Sequence, residues 1–139
     1  MRISDAEVLR EELEAELRLQ SSVAVDLLIV PDIAEWAKGR CDNAKGNPIA
    51  MAIVDQDSGG WGVLLRRSIN ERQVASVIDR IEWSGRIDAS TLLNTPSKFL
   101  RHTVLHELAH LANNWGQERE EDCDEWAAEL LRRSERRFK

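Results

Sequence analysis

The last third of the chain constrains the fold most, because it predicts two long helices joined by a short break. Thr95 is a favourable N-cap and Pro96 a favourable first helical residue, so one helix is predicted to run to about Asn113. The break is Asn114-Trp115-Gly116, whose glycine suits a left-handed C-terminal position. A second helix is predicted over residues 118–137. Since the connection is short, we expect the two helices to form an antiparallel hairpin.

Upstream of this hairpin, the sequence pattern predicts short helices and strands. Ser4 and Glu7 form a predicted capping box that opens the first helix. The predicted elements, in chain order, are a helix over 5–19, a strand over 23–30, a short helix over 32–38, a polar loop over 40–48, and a β-hairpin of strands 49–54 and 61–66. We therefore expect an α+β fold, with residues 1–139 forming a single domain.

Residues 71–90 allow two interpretations. The spacing of apolar residues, with Asn70 as N-cap, favours a helix over 71–80 followed by a short extended segment over 86–90. In the alternative, a turn at Ser84-Gly85-Arg86 joins two short strands. We favour the helix. The extended segment is then expected to form a sheet edge beside the first helix of the hairpin.

Composition limits the class of partner. The chain is 42% hydrophobic with a net charge of -6, and this acidic balance argues against non-specific nucleic-acid binding, which needs a basic surface.

The longest apolar run, residues 23–30, is too short and too interrupted to span a bilayer. Cys41 and Cys123 are interpreted as reduced thiols, and no secretory pattern opens the chain, so we expect a cytoplasmic protein. The five tryptophans are expected in the core or at its rim, except that Trp115, at the hairpin tip, is expected either to be exposed or to guard the cleft.

An H-E-x-x-H motif, His106 to His110, lies inside the first predicted hairpin helix. Residues i and i+4 share a helical face, so both imidazoles are expected to bind one zinc ion. Glu107 lies about 100° round the helix from His106 and is expected to act as general base on a water molecule. His102 is one turn earlier. Three histidines in line would span about 12 Å of helix, so His102 is not expected to bind the same ion.

The second helix supplies the candidates for a third zinc ligand. In an antiparallel hairpin Glu120 lies level with His110, and it is the expected ligand. Asp124, one turn further on, is expected to accept the second ring N–H of a ligand histidine. Asp124 itself and Glu121 remain alternative ligands. The thiolate of Cys123 is another, as in the peptide deformylase type, although a packing role suits its apolar neighbours better.

Stabilisation of an oxyanion requires one more group. Zinc peptidases use a Tyr, His or Arg for this purpose, and the chain contains no Tyr. By elimination His102 is the expected catalytic candidate, with an arginine such as Arg101 as the alternative.

The two hairpin segments resemble a known family. Residues 105–111, followed by 120–131, are similar to the ImmA/IrrE-type metallopeptidase domain, which belongs to the gluzincin-like zinc peptidases. The second family signature is similar to E-x-E-A-[ND]-x-F-A-x-x-L-L, and this chain departs from it at Asp122, Cys123 and Trp126, where Glu, Ala and Phe are usual. The resemblance implies a zincin-like domain with a short antiparallel-rich sheet, and it too points to Glu120 as the third ligand.

Residues 86–93, with Pro96 and the motif helix, also resemble SprT-like peptidases. Those enzymes use a later histidine as third ligand, and no histidine follows His110 here. The resemblances imply a zinc metallopeptidase that cleaves a protein or peptide substrate, such as a regulatory protein. Two other hypotheses stay open: a zinc-binding interaction module that regulates a partner protein without catalysis, and a hydrolase of non-peptide substrates such as an amidase or deformylase.

Overall fold

The computed structural model describes residues 1–40 and 48–137. Cys41 and most of the predicted loop over residues 40–48 lie outside these ranges, as do residues 138–139. In chain order the elements are a 3-10 turn Ala6–Leu9, α1 Arg10–Gln20, β1 Val25–Val30, α2 Ile33–Ala37, β2 Ala50–Val54, β3 Trp61–Arg66, α3 Glu71–Trp83, α4 Ala89–Leu92, α5 Pro96–Ala112, a 3-10 turn Gln117–Arg119 and α6 Glu120–Arg137. The α+β class is confirmed.

The sheet has three strands in the order β1-β3-β2. β2 pairs antiparallel with β3, which confirms the predicted hairpin, and Ala50 lies opposite Leu65. β1 pairs with β3 in parallel, with Val25 opposite Trp61, so the sheet is mixed. The central strand β3 is the most buried, because it has a neighbour on each side and helices over it.

α5 is the buried centre of the domain. Its side chains from Phe99 to Leu105 are all buried, and they join the core formed by α1, α6 and the sheet. Thr95 caps its first turn, since the hydroxyl accepts from the backbone N–H of Lys98 at 3.2 Å. α6 packs against α5 in the predicted antiparallel sense, because Glu120 contacts His110 while Asp124 contacts His102. The described part of the chain contains no helix long and apolar enough to cross a membrane.

Two predicted caps are wrong. Asp5, and not Ser4, caps the first turn, because its carboxylate accepts from the backbone N–H of Glu7 at 3.0 Å. Asn114 (φ 53°), and not Gly116 (φ -88°), takes the left-handed position after α5. The N–H of Trp115 then bonds to the carbonyl of His110, as in a Schellman motif. Asparagine tolerates this conformation better than most residues, so the chain turns two residues before the glycine.

The extended segment predicted over residues 86–90 is also wrong, as is the alternative pair of strands. α3 continues to Trp83, and Asp88 then caps the short helix α4 through the N–H of Thr91. The helical period that buries Val74 and Ile81 outweighs the local β pattern. Helix continuation also turns Trp83 outward, where it is 90% exposed, so the expected core or rim position is wrong for this tryptophan.

A buried ion-pair network ties α1, α5 and α6 together. The guanidinium of Arg101 lies 3.5 Å from the carboxylate of Glu16 and 2.6 Å from that of Glu135. The second oxygen of Glu16 accepts from the hydroxyl of Ser134 at 3.0 Å. Glu16 and Arg101 are both buried, so the carboxylate of Glu16 depends on the guanidinium of Arg101 for charge compensation.

We predict that Arg101→Met lowers the free energy of unfolding by about 3–5 kcal/mol, because it leaves the Glu16 carboxylate buried without its cation. Arg133→Met is the matched control, since Arg133 forms an exposed ion pair with Glu129 within α6. The control is expected to change stability by no more than about 1 kcal/mol. Urea unfolding measures both. Equal losses in the two variants would contradict the prediction.

Candidate metal centre

The two motif histidines lie on one face of α5, one turn apart. Their ring centroids are 5.2 Å apart in an edge-to-face arrangement. Nε2 of His106 lies 2.9 Å from Oε2 of Glu120, and Nε2 of His110 lies 3.0 Å from Oε1 of the same carboxylate. The structure thus brings His106, His110 and Glu120 together at the level where α6 begins.

The opposite nitrogen of each ring is anchored by the protein. Nδ1 of His106 donates to Oδ1 of Asp124 at 2.6 Å, and Nδ1 of His110 donates to the backbone carbonyl of Trp115 at 2.7 Å. Because protein acceptors hold both Nδ1 atoms, both Nε2 atoms face the carboxylate of Glu120. This is the arrangement that a cation between them requires.

Asp124 is surrounded by N–H donors. Besides His106, it lies 3.2 Å from Nε2 of His102, and both of its oxygens lie 3.4 Å from the guanidinium of Arg80. An oxygen that already accepts from these groups, with a guanidinium beside it, is a poor position for a metal ion. The contacts therefore favour the supporting role predicted for Asp124 over the alternative of a direct ligand.

Two sets of three side chains each bring one possible ligand atom within 4.8 Å of one another. One set is His106, His110 and Cys123; the other is His102, His106 and Asp124. Of the remaining acidic candidates on α6, Glu121 is exposed. Imidazole nitrogen, carboxylate oxygen and thiolate sulfur are the ligand types of zinc, so the donors gathered here fit that metal.

His102 lies behind His106, in contact with Asp124, and is only 1% exposed. Burial lowers the pKa of His102, and the hydrogen bond to Asp124 only partly opposes it. Its Nδ1 has no hydrogen-bond partner in the described part of the chain. Arg101, the alternative candidate for stabilising an oxyanion, belongs to the ion-pair network between α1 and α6 and does not line the cleft.

Burial and close contacts shift the pKa values of three groups at the site. Burial favours the neutral ring of His106, but its hydrogen bonds to Asp124 and Glu120 outweigh that effect and raise its pKa to about 10. Burial, with Glu120 nearby, raises the pKa of Glu107. Burial and the surrounding carboxylates raise the pKa of the Cys123 thiol to about 12. In the metal-free protein, the protonated His106 thus neutralises part of the acidic cluster.

A cleft of about 900 Å³ opens over these residues. Its floor is the motif face of α5, and its sides come from β2, the start of β3, α3 and the turn after α5, including Met51, Trp61, Arg80 and Trp115. Trp115 is half-buried, lines the cleft and lies close to Arg119, which agrees better with the predicted position at the cleft than with the alternative of full exposure.

Two features of the cleft were missed from the sequence. The cleft edge is β2, and not the segment 86–90 that was predicted to form it. Arg80 was not among the predicted site residues, and its only signal is its position three residues after Val77, on the face of α3 that also lines the cleft. No family model, curated protein or solved structure matches the chain.

The raised pKa of His106 predicts a pH-dependent stability for the metal-free protein. The folded value of about 10 exceeds the unfolded value near 6.5, so the contribution of His106 is complete below about pH 6.5 and is lost as pH rises through 10. We expect the free energy of unfolding of chelator-treated protein to fall between about pH 7 and 8, below the pKa of about 8.5 at which unfolded cysteine ionises.

His106→Gln is the control for this prediction, since it removes the titrating group and should flatten the dependence. Urea titrations at several pH values within the window provide the measurement. A wild-type protein whose stability is constant or rises over this range would contradict the assigned protonation of His106.

Proposed function

We propose that the protein is a zinc-dependent hydrolase that cleaves peptide bonds, a metallopeptidase of the gluzincin-like kind. One observation carries the proposal: the Nε2 atoms of His106 and His110 meet at the carboxylate of Glu120, at the floor of a cleft that Glu107 also lines. His106, His110 and Glu120 would hold the ion, and Asp124 would orient His106. The ImmA/IrrE resemblance supports the same assignment.

Bound zinc supplies a Lewis acid and makes a water molecule acidic. Proton transfer and the stabilisation of negative charge then fall to residues of this chain. Glu107 is the general base and acid, and the raised pKa that burial gives this carboxyl brings it closer to the pH at which it must exchange a proton. Structural zinc has no need of such a carboxylate beside it. Its presence therefore favours an enzyme over a purely structural site.

Arg80 is the group best located to stabilise negative charge that develops on a substrate carbonyl. Its guanidinium is half-exposed, lines the cleft and contacts Asp124 through one arm. This location compensates for the missing tyrosine. His102, by contrast, is buried against Asp124, which supports a positioning role for His102 rather than contact with substrate.

A peptide substrate is supported by the edge of the sheet. Among the described strands β2 pairs only with β3, so its second edge is available along the cleft. An extended peptide can bond to the backbone of such an edge, which brings its carbonyl groups toward the metal ligands. We also propose a cytoplasmic location, because Cys123 is a free thiol and reducing compartments keep thiols unpaired.

We predict that purified wild-type protein binds about one equivalent of zinc, since catalytic zinc needs three protein ligands and these residues supply them. Glu120→Ala is expected to weaken zinc binding more than Asp124→Ala, which removes only a supporting hydrogen bond and should cost about 10–100-fold in affinity. Competition with a chromogenic chelator measures the three affinities. A wild-type protein without zinc affinity overturns the proposal, and a larger loss in Asp124→Ala exchanges the roles of the two carboxylates.

We predict that Glu107→Gln abolishes hydrolysis and retains zinc, because it removes the proton acceptor and leaves the ligands in place. The assay is digestion of a proteome-derived peptide library, with new termini read by mass spectrometry. Arg80→Met is expected to reduce cleavage by about 10²–10³-fold, and Arg80→Lys by less. Arg86→Met is a matched control, since Arg86 pairs with Glu125 away from the cleft lining.

Three outcomes are informative here. Cleavage of peptides by wild type alone supports the metallopeptidase. Zinc binding without cleavage, with a biological effect that Glu107→Gln retains, favours the interaction module. Zinc-dependent cleavage of small amides but not of peptides favours the non-peptide hydrolase.

A further inference from the structure

Cys123 lies next to the metal ligands on the interior side of the site. Its Sγ and ring nitrogens of both His106 and His110 fall within 4.8 Å of one another, which makes it part of a three-donor group and not an isolated thiol. The residue is 0% exposed and does not line the cleft. A donor is therefore present on the side of the histidines that faces the core.

Glu120 lies beside the same histidines but faces the cleft. It precedes Cys123 by three residues, so both side chains project from the same face of α6 toward α5. In contrast to the cysteine, the Glu120 side chain is 35% exposed and lines the cleft. The two candidate ligands thus both lie beside the histidine pair, and they differ in that Cys123 is fully buried whereas Glu120 is open to the cleft.

We propose that Cys123 is a zinc ligand together with His106 and His110, and that Glu120 is the exchangeable fourth ligand on the cleft side. This assignment rests on the proposed zinc site. Thiolate and imidazole together are a donor combination that zinc favours, and the thiol proton is released to solvent when the metal binds. Two imidazoles and a buried thiolate would still hold a metal by three protein ligands if the carboxylate moved aside, and the open position would then be available to the water molecule on which Glu107 acts.

Charge and solvent access both support this division. A thiolate in the interior is acceptable only beside a cation, and the metal position supplies one. A carboxylate at the cleft surface can leave the metal and be hydrated, whereas the fully buried sulfur has no such alternative. The cleft-facing position is therefore the one at which ligands exchange.

Cobalt substitution tests the assignment. Chelator-treated wild-type protein is titrated with Co²⁺, and we expect the near-ultraviolet charge-transfer absorption of a Co²⁺–thiolate bond to saturate at about one equivalent of metal. Cys123→Ser should lose this band. Glu120→Ala should retain it, because both histidines and the sulfur remain.

Cys41→Ser is the matched control, since it removes the other cysteine of the chain and should leave the band unchanged. X-ray absorption of the zinc-loaded wild type supplies a measurement that needs no variant, with one sulfur expected at about 2.3 Å.

The possible failures are distinguishable. Stoichiometric metal without a charge-transfer band or a sulfur neighbour overturns the role of Cys123 and leaves the zinc site of His106, His110 and Glu120 standing. Loss of the band in Cys41→Ser would show that Cys41 supplies the thiolate, and this outcome also overturns the role of Cys123. Absence of metal binding overturns this inference and the proposed function together.

Discussion

The antiparallel packing of α5 against α6 is the contact on which the rest of the molecule depends. Toward the interior it buries an apolar layer that includes Leu105 and Leu108 of α5 and Ala127 and Leu131 of α6. At one end of the same interface the apolar layer gives way to imidazoles and carboxylates. A shift of one helix along the other by a single turn would break the contacts of Glu120 with His110 and of Asp124 with His102, so the packing of the core also sets the geometry of the proposed metal ligands.

The burial of ionisable groups at the polar end of this interface lowers the stability of the fold unless positive charge lies beside them. Four carboxyl or thiol groups of residues 107–124 lie near three histidines in a largely buried setting, and the only arginine described among their contacts is Arg80. Hydrogen bonds to a protonated His106 offset part of the cost in the metal-free protein. A divalent cation would offset more of it, because it adds two positive charges at the point where the donors meet. The burial of so many ligand-type groups is thus itself an argument for a metal.

Much of the fold follows from local sequence, and much of the site follows from periodicity. The motif helix, its cap at Thr95, the β-hairpin and the level of Glu120 beside His110 all depend on short-range spacing, and the structure agrees with each. The interpretation of residues 86–90 is wrong because a strand-like alternation and a helix ending at Ser84-Gly85 look alike over a few residues. Helix length decides between them, and length depends on the burial of Ile81 in the tertiary structure.

Other features could not be read from local sequence. Arg80 reaches the site because α3 lies across the cleft, and no spacing within α3 reports its distance from a motif more than twenty residues away. The parallel pairing of β1 with β3 is equally non-local, since the two strands are separated by a helix and by β2. The choice of Asp5 over Ser4 as cap, and of Asn114 over Gly116 as turn residue, is made between neighbours of similar chemistry, and the wider packing of the chain decides it.

The turn after α5 binds His110 twice. The backbone carbonyl of His110 accepts the N–H of Trp115, and its ring donates to the carbonyl of Trp115. Both partners of the histidine are main-chain atoms, so the orientation of this proposed ligand is encoded in backbone torsions and in no particular side chain. Residue 115 can therefore vary in evolution without loss of the anchor, provided that residue 114 still accepts a left-handed conformation. A sequence profile would record tolerance at 115 and restriction at 114, although residue 115 is the one that touches the ligand.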